Sequence, residues 1–451
     1  MRLALRSLKV LGVGLLVVMI AVVGWLWLQP PELLRVGSGY AAKIVCSNVF
    51  LAGRDADVVL STDVQAPGNP LLRLMRVAVD REGGRVHAAL LGFVAGNDAV
   101  YRPGAGCAVT STPQDTARIT PPAIPVVAAG LPSAPWPEGE EVASDQAVAS
   151  VLSDTALTGS GMRAVVVVKN GRIVGERYGD GFTKDVPLLG WSMTKTVNAA
   201  ILGRVLAAGK LSLGDRDLLP EWRGDQRRDI TLASLLAMES GLAFDEDYGA
   251  VADVTRMLYL EDDQAAFAAS KPLVGAAGSR FTYSSGTAVL LARIWMNRLA
   301  PAEASSFPAD ALFGPLGMKS AVLETDIKGT FAGSSYLYAT ARDWARFALM
   351  LAQDGVWKGQ RLLPAETVEM MQSANDHSGG RYSRMQTWLP LPGNPFIPAG
   401  TFMMQGHDGQ TIAINPALSL VVLRMGLTPF SDHYDVGPLI GAVAKATGQR
   451  S

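Results

Sequence analysis

The chain has 451 residues, with 40 basic against 41 acidic side chains and a formal net charge of −1. The length exceeds that of one ordinary domain, and the balanced charge lacks the basic surplus of a nucleic-acid binder, so no nucleic acid is expected as a partner. Apolar residues make up 49% of the sequence, which suits a filled core and excludes a disordered chain.

Residues Val10 to Leu28 form an apolar run long enough to cross a bilayer. Arg2, Arg6 and Lys9 precede it, and Gln29-Pro30-Pro31-Glu32 follows with no positive charge, so the remainder is expected to be exported. The run ends in Trp25-Leu26-Trp27-Leu28, which suits an interface. Residues 1–29 therefore read as an uncleaved anchor, with the rest of the chain in the periplasm or otherwise outside the cytoplasm. A cleaved signal peptide and a secreted product form the alternative.

Residues 30–115 read as a small accessory region. Both cysteines, Cys46 and Cys107, lie there, and export permits a disulfide closing a loop of about sixty residues; two buried thiols are the alternative. Asp57-Val58-Val59-Leu60 and Arg85 to Leu91 look like strands, the second after a Gly83-Gly84 turn. Residues 116–142 are Pro-rich and read as a linker.

The main domain is expected over 143–451. Met162 to Val168 is a β-branched strand, Asn170-Gly171 a hairpin turn, and Ile173 to Tyr178 the returning strand. A helix follows Trp191-Ser192-Met193-Thr194-Lys195 and runs to Ala208. The middle of the chain is mainly helical, with helices over Leu232–Met238, Thr287–Leu299 and Ala341–Gln353. Asp245-Glu246-Asp247 reads as a solvated acidic loop. Strands return over Thr401–Gln405, Thr411–Ile414 and Leu418–Met425, and a helix closes the domain over Val436–Thr447. This pattern predicts an α/β (α+β) fold: one antiparallel sheet built from both ends of the domain, flanked by helices, with an inserted all-helical lobe.

The chemistry concentrates at Ser192. A serine and a lysine three apart share a helix face, so the Lys195 amine can reach the Ser192 hydroxyl. A lysine acts as a base where burial favours its neutral form, and a backbone N–H in a first helical turn can serve an oxyanion. The histidines His87, His377, His407 and His433 show no metal-binding spacing, so neither metal nor cofactor is expected.

Ser192-x-x-Lys195, Tyr283-Ser284-Ser285 and His407-Asp408-Gly409 follow in that order. The set resembles the three motifs of the serine β-lactamase and penicillin-binding (transpeptidase-like) family, of its class C branch. Leu235-Leu236-Ala237-Met238-Glu239-Ser240-Gly241-Leu242 and Leu316-Gly317-Met318 are also similar to that family, over roughly Ala143 to the C-terminus. Tyr178-Gly179-Asp180-Gly181-Phe182, the Trp191 segment, Asp245-Glu246-Asp247-Tyr248 and Tyr283-x-Ser285 look most like the 6-aminohexanoate-dimer (nylon-oligomer) hydrolases and their carboxylesterase kin.

The resemblance implies Ser192 as nucleophile, Lys195 as base and Tyr283 as proton relay. It implies Ser285 as a support for Lys195 or Tyr283, Gln410 as the second oxyanion N–H, and Tyr248 as a cover over substrate. His407 and Asp408 replace the lysine and threonine of the third motif, with Gly409 retained, and Asp408 is placed with Tyr248 at the substrate. These departures point to a small-molecule ester or amide more than to an antibiotic. A wall-peptide sensor and a D-alanyl peptidase of the same fold are the alternatives.

Overall fold

The computed structural model describes residues 11–15, 17, 24–26, 28–110 and 133–448. Much of the apolar run Val10–Leu28 and of the linker 116–142 lies outside the described residues. Among the described helices, none is long and apolar enough to cross a membrane.

The N-terminal part departs from the expectation. A 19-residue helix, α1 (Glu32–Phe50), fills the stretch before the first strand. The segment Asp57–Leu60, read as a strand, is helical instead: the Asp55 side chain caps it by accepting the Asp57 and Val58 N–H groups. Four strands follow in an antiparallel meander, β1 (Met75–Asp80), β2 (Arg85–Leu90), β3 (Val94–Arg102) and β4 (Gly106–Thr110). The Cys46–Cys107 disulfide ties α1 to β4.

This region is built into the main core. Ala41, Ala42, Val45 and Cys46 of α1 are fully buried in the same cluster as Val197, Leu258 and Trp344. Lys43 of α1 pairs with the buried Glu324 carboxylate, which also accepts from Ser47 Oγ at 2.9 Å and from the Cys107 N–H at 2.6 Å. Arg102 donates to the carbonyls of Thr325 and Asp326 at 2.8 and 2.9 Å, docking the β3–β4 turn onto the same segment.

In the main domain the β-branched runs form strands because alternate side chains find two different cores. Strand β5 (Met162–Lys169) sends Ala164, Val166 and Val168 to the large core and Val165 and Val167 to a second cluster with Val148, Leu152, Leu439, Ile440 and Val443. Its hairpin partner is β6 (Arg172–Tyr178), joined at Asn170 and Gly171, which take φ of 50° and 79°. Later come helices α2 (Met193–Ala207), α3 (Ser285–Met296) and α4 (Ala341–Ala352), strands β7 (Phe402–Gly406), β8 (Gln410–Asn415) and β9 (Leu420–Gly426), and helix α5 (Gly437–Gly448). The five-stranded antiparallel sheet runs β7-β8-β9-β5-β6, so both ends of the domain build it, as predicted.

Helix α4 covers one face with Trp344 and Phe347; the helix Gln146–Ser153 and α5 cover the other. Between β6 and β7 helices are the main regular structure, but the stretch is not all-helical as expected: Leu188–Leu189, Val322–Leu323 and Leu337–Ala339 form a small three-stranded sheet, and the second candidate motif opens α3.

Candidate active site

Three chain segments converge on Ser192. Gly190 leads in, and a Cβ there would sit 2.3 Å from the Trp344 ring, so only glycine lets the chain pass α4. Gly406, at the end of β7, is similarly tight: a Cβ there would meet the Gly190 carbonyl at 2.3 Å. The strand end is thus pressed against the turn that presents the serine. Trp191 takes φ 47°, an unusual conformation for a bulky residue. Its ring is held from three sides, by Tyr248, Tyr336 and His407, with centroids 6.3, 5.9 and 5.5 Å away. Such over-determination is what holds strained backbone in place. Ser192 then caps α2 without spending its hydroxyl on the helix.

The hydroxyl faces Lys195 instead. Lys195 Nζ lies 3.0 Å from Ser192 Oγ, 3.0 Å from Ser285 Oγ and 3.1 Å from the Ser334 carbonyl. It also stands 4.8 Å from the centre of the Tyr283 ring. Only 1% of Lys195 is exposed, and burial pushes its ammonium down to about 8, with Glu246 opposing the shift. A lysine in that range supplies neutral amine near neutral pH.

Ser285 opens α3, whose N-cap Ser284 accepts the Thr287 N–H at 3.0 Å. Its N–H donates to Glu246 Oε2 at 2.7 Å, and its hydroxyl donates to the other carboxylate oxygen. Here the solvated-loop expectation needs correction. Asp245 and Asp247 are exposed, but Glu246 between them turns inward. Burial pushes its carboxyl up, and Lys195 and Ser285 pull it back.

Tyr283 packs against Tyr382 and Trp388, with centroids 5.8 and 5.2 Å away. Burial drives its phenol well above the usual range, with Tyr382 and Glu246 adding to the effect and Ser192 opposing it. It therefore rests as a neutral proton donor. Tyr248 stacks on His407 at 4.9 Å, with the planes 20° apart. Its buried hydroxyl faces those of Ser285 and Ser335 without a well-formed hydrogen bond.

The third motif sits at the turn between β7 and β8. His407 Nε2 lies 3.3 Å from Asp408, and Asp408 and Gly409 take φ of 58° and 79°. Burial pushes the Asp408 carboxyl up, with His407 opposing. The Gln410 side chain is spent on structure: Nε2 donates to the carbonyls of His407 and Gly426 at 3.0 and 2.5 Å. That fixes the turn and leaves backbone as the part of Gln410 that could serve a site. Among the described residues no group of three His, Cys, Asp or Glu could hold a metal ion. The structure thus gathers Ser192, Lys195, Ser285 and Tyr283, walls them with Tyr248 and His407, and adds Glu246 and the Ser334 carbonyl, which sequence reasoning missed.

The Beta-lactamase family model matches residues 156–444, more than half of the chain. The chain belongs to the beta-lactamase family. Solved structures agree on the fold of this beta-lactamase-family chain. A protein assigned as a 6-aminohexanoate-dimer hydrolase from Bacillus anthracis is 23% identical, with a TM-score of 0.55 over 63% of this chain and 79% of its own. A protein assigned as a beta-lactamase from Bacteroides dorei DSM 17855 is 24% identical, with a TM-score of 0.52 over 66% and 98%. A family VIII carboxylesterase is 16% identical, with a TM-score of 0.55 over 68% and 99%. No curated protein matches the chain. The beta-lactamase fold and its serine-hydrolase chemistry are therefore common ground.

Proposed function

We propose that this protein is an esterase or amidase that works through an acyl-enzyme on Ser192. The observation that carries the reading is Lys195: buried, 3.0 Å from the Ser192 hydroxyl and pushed down to about 8. Its neutral amine takes the hydroxyl proton as Oγ attacks the carbonyl carbon. The tetrahedral oxyanion would be met by the backbone N–H groups of Ser192 and Gln410, each worth about 3 kcal/mol in such sites. Lys195 passes its proton through the Tyr283 hydroxyl to the leaving alkoxide or amine, and the C–O or C–N bond breaks. Water then adds to the acyl-enzyme by the same route in reverse, releasing the acid and restoring Ser192.

Ser285 and Glu246 serve as positioning residues: they hold Lys195 in reach of Ser192. The N-terminal run would anchor the chain, with the site outside the cytoplasm; the Cys46–Cys107 disulfide supports an oxidising compartment.

Ser192→Ala is expected to abolish both turnover and labelling by a fluorophosphonate probe. Labelling retained at the wild-type level would sink the assignment. Mass spectrometry of the reacting enzyme separates a hydrolase from a sensor: steady turnover after a burst supports the hydrolase, and a lasting adduct on Ser192 the sensor.

A further inference from the structure

We propose that the cavity between α1 and the Trp191–Tyr248–His407 wall holds the acyl chain of the substrate, which makes that substrate a medium- or long-chain acyl ester. The proposal rests on the hydrolase reading above and adds the substrate class. The cavity measures about 440 Å³, within the usual size of small-molecule sites. One wall comes from outside the family-matched residues: Leu33, Leu34 and Val36 of α1, with Leu71, Leu72 and Met75. The opposite wall is Trp191, Tyr248 and His407.

The lining chooses among substrates. It contains no lysine or arginine, and its charged or titratable carboxyl is Asp408. A substrate carboxylate would meet no fixed positive charge there, whereas an aliphatic chain would exchange water for leucine, valine and methionine. The cavity adjoins the turn that carries the nucleophile; Ser192 and Lys195 themselves are not among its lining residues. Trp191 directly precedes Ser192, and Tyr248 lines the cavity with its ring while its hydroxyl points toward Ser285. Tyr283 and its neighbours Tyr382 and Trp388 take no part in the lining. The proposal therefore puts the leaving group on the Tyr283 side and the acyl chain on the Trp191 side. The mouth is apolar too: Leu33, Leu71 and Phe430 are 38%, 37% and 90% exposed, the kind of patch that marks a binding surface.

The test uses the full chain and the p-nitrophenyl esters of acetate, butyrate, octanoate and dodecanoate. kcat/KM is expected to rise at least tenfold from acetate to octanoate or dodecanoate. Leu72→Trp, which fills the cavity from a half-buried position, should remove that rise, costing octanoate and dodecanoate at least tenfold more than acetate. Leu33→Trp, at an exposed position, is the companion should Leu72→Trp not fold. Binding of dodecanoate to Ser192→Ala, followed by calorimetry, reads the cavity without turnover and should be lost on adding Leu72→Trp. Acetate turnover with a flat or falling chain-length dependence would overturn the acyl site and leave the hydrolase reading standing. Equal losses on acetate and octanoate in a folded Leu72→Trp would also overturn it. Dodecanoate bound by Ser192→Ala, with no ester hydrolysed by the wild type, would overturn the hydrolase reading and the acyl-ester substrate with it, leaving only a site that binds an aliphatic chain.

Discussion

Glu246 and Lys195 meet on one atom: both hydrogen-bond to the Ser285 hydroxyl, Lys195 at 3.0 Å. The carboxylate therefore favours the lysine's charged form, while burial opposes it more strongly and holds Lys195 down to about 8. The neutral amine is the active base, so kcat/KM should rise with pH through an apparent pKa near 8 and level off above it. Glu246→Gln removes the charge that favours the ammonium and should move that limb to lower pH. The plateau should fall as well, because Ser285 donates to both carboxylate oxygens and glutamine keeps only one acceptor oxygen. A pH–rate profile on a p-nitrophenyl ester checks both, and a limb moving upward would contradict the assignment.

The same depression has a sign for stability. The unfolded chain keeps the Lys195 proton up to its ordinary 10.5, the folded chain only to about 8. Between those values the unfolded state binds more protons, so stability should rise with pH across that window as far as this group is concerned. Denaturant midpoints of wild type and Lys195→Met, compared at pH 7.5 and 10, measure the difference. The wild type should gain more than Lys195→Met, by an amount on the order of 1 to 3 kcal/mol.

Much of this was legible in the sequence for a physical reason. Val165 to Val168 announce a strand because β-branched side chains suit a pleated surface, and Asn170-Gly171 can take the two positive φ values of a tight hairpin. Ser192, Lys195 and Tyr283 were legible as an ordered set. Helix α1 was not, because it is buried on nearly all sides and its Gly, Ala, Ser and Val residues give no amphipathic stripe. Asp57 to Leu60 is a short apolar run, for which periodicity cannot separate strand from helix. Glu246 looked solvated because its neighbours are; its role depends on Ser285, 39 residues away. The Ser334 carbonyl is a backbone atom and leaves no mark in the sequence.

Tyr283 is pushed well above the usual phenol range, mainly by burial, so it should act as a donor and not as a resting phenolate. Its value then depends on how much the leaving group needs a proton. Tyr283→Phe should slow amides and simple alkyl esters by roughly 10²- to 10⁴-fold. A p-nitrophenyl ester, whose leaving group departs as the anion, should lose far less. Steady-state rates on a matched alkyl ester and p-nitrophenyl ester decide the point; equal losses on both would show that Tyr283 acts some other way.

The Cys46–Cys107 disulfide spans 61 residues and joins α1 to β4, both packed against the main core. Closing so long a loop restricts the unfolded chain, and removing such a bridge typically costs about 2–5 kcal/mol. Cys46→Ser/Cys107→Ser should show that loss in denaturant unfolding. Reduction of the wild type should match it, while the variant itself should be indifferent to reductant.

Lys43 and Glu324 form a buried pair, 3% and 0% exposed, between α1 and the main domain. Burial pushes the Lys43 ammonium down and Glu324 opposes the shift, so the lysine depends on its partner to stay charged. Glu324→Gln would strand that amine in the core and leave Ser47 and the Cys107 N–H with a weaker acceptor. The expected loss is about 3–5 kcal/mol, since breaking one half of a buried pair leaves the other uncompensated. Replacing both, as Lys43→Met with Glu324→Gln, should recover part of it, because no buried charge remains. Denaturant unfolding of the two single variants and the double variant closes the cycle. A double variant less stable than either single one would mean that Lys43 and Glu324 each hold the interface independently of their pairing.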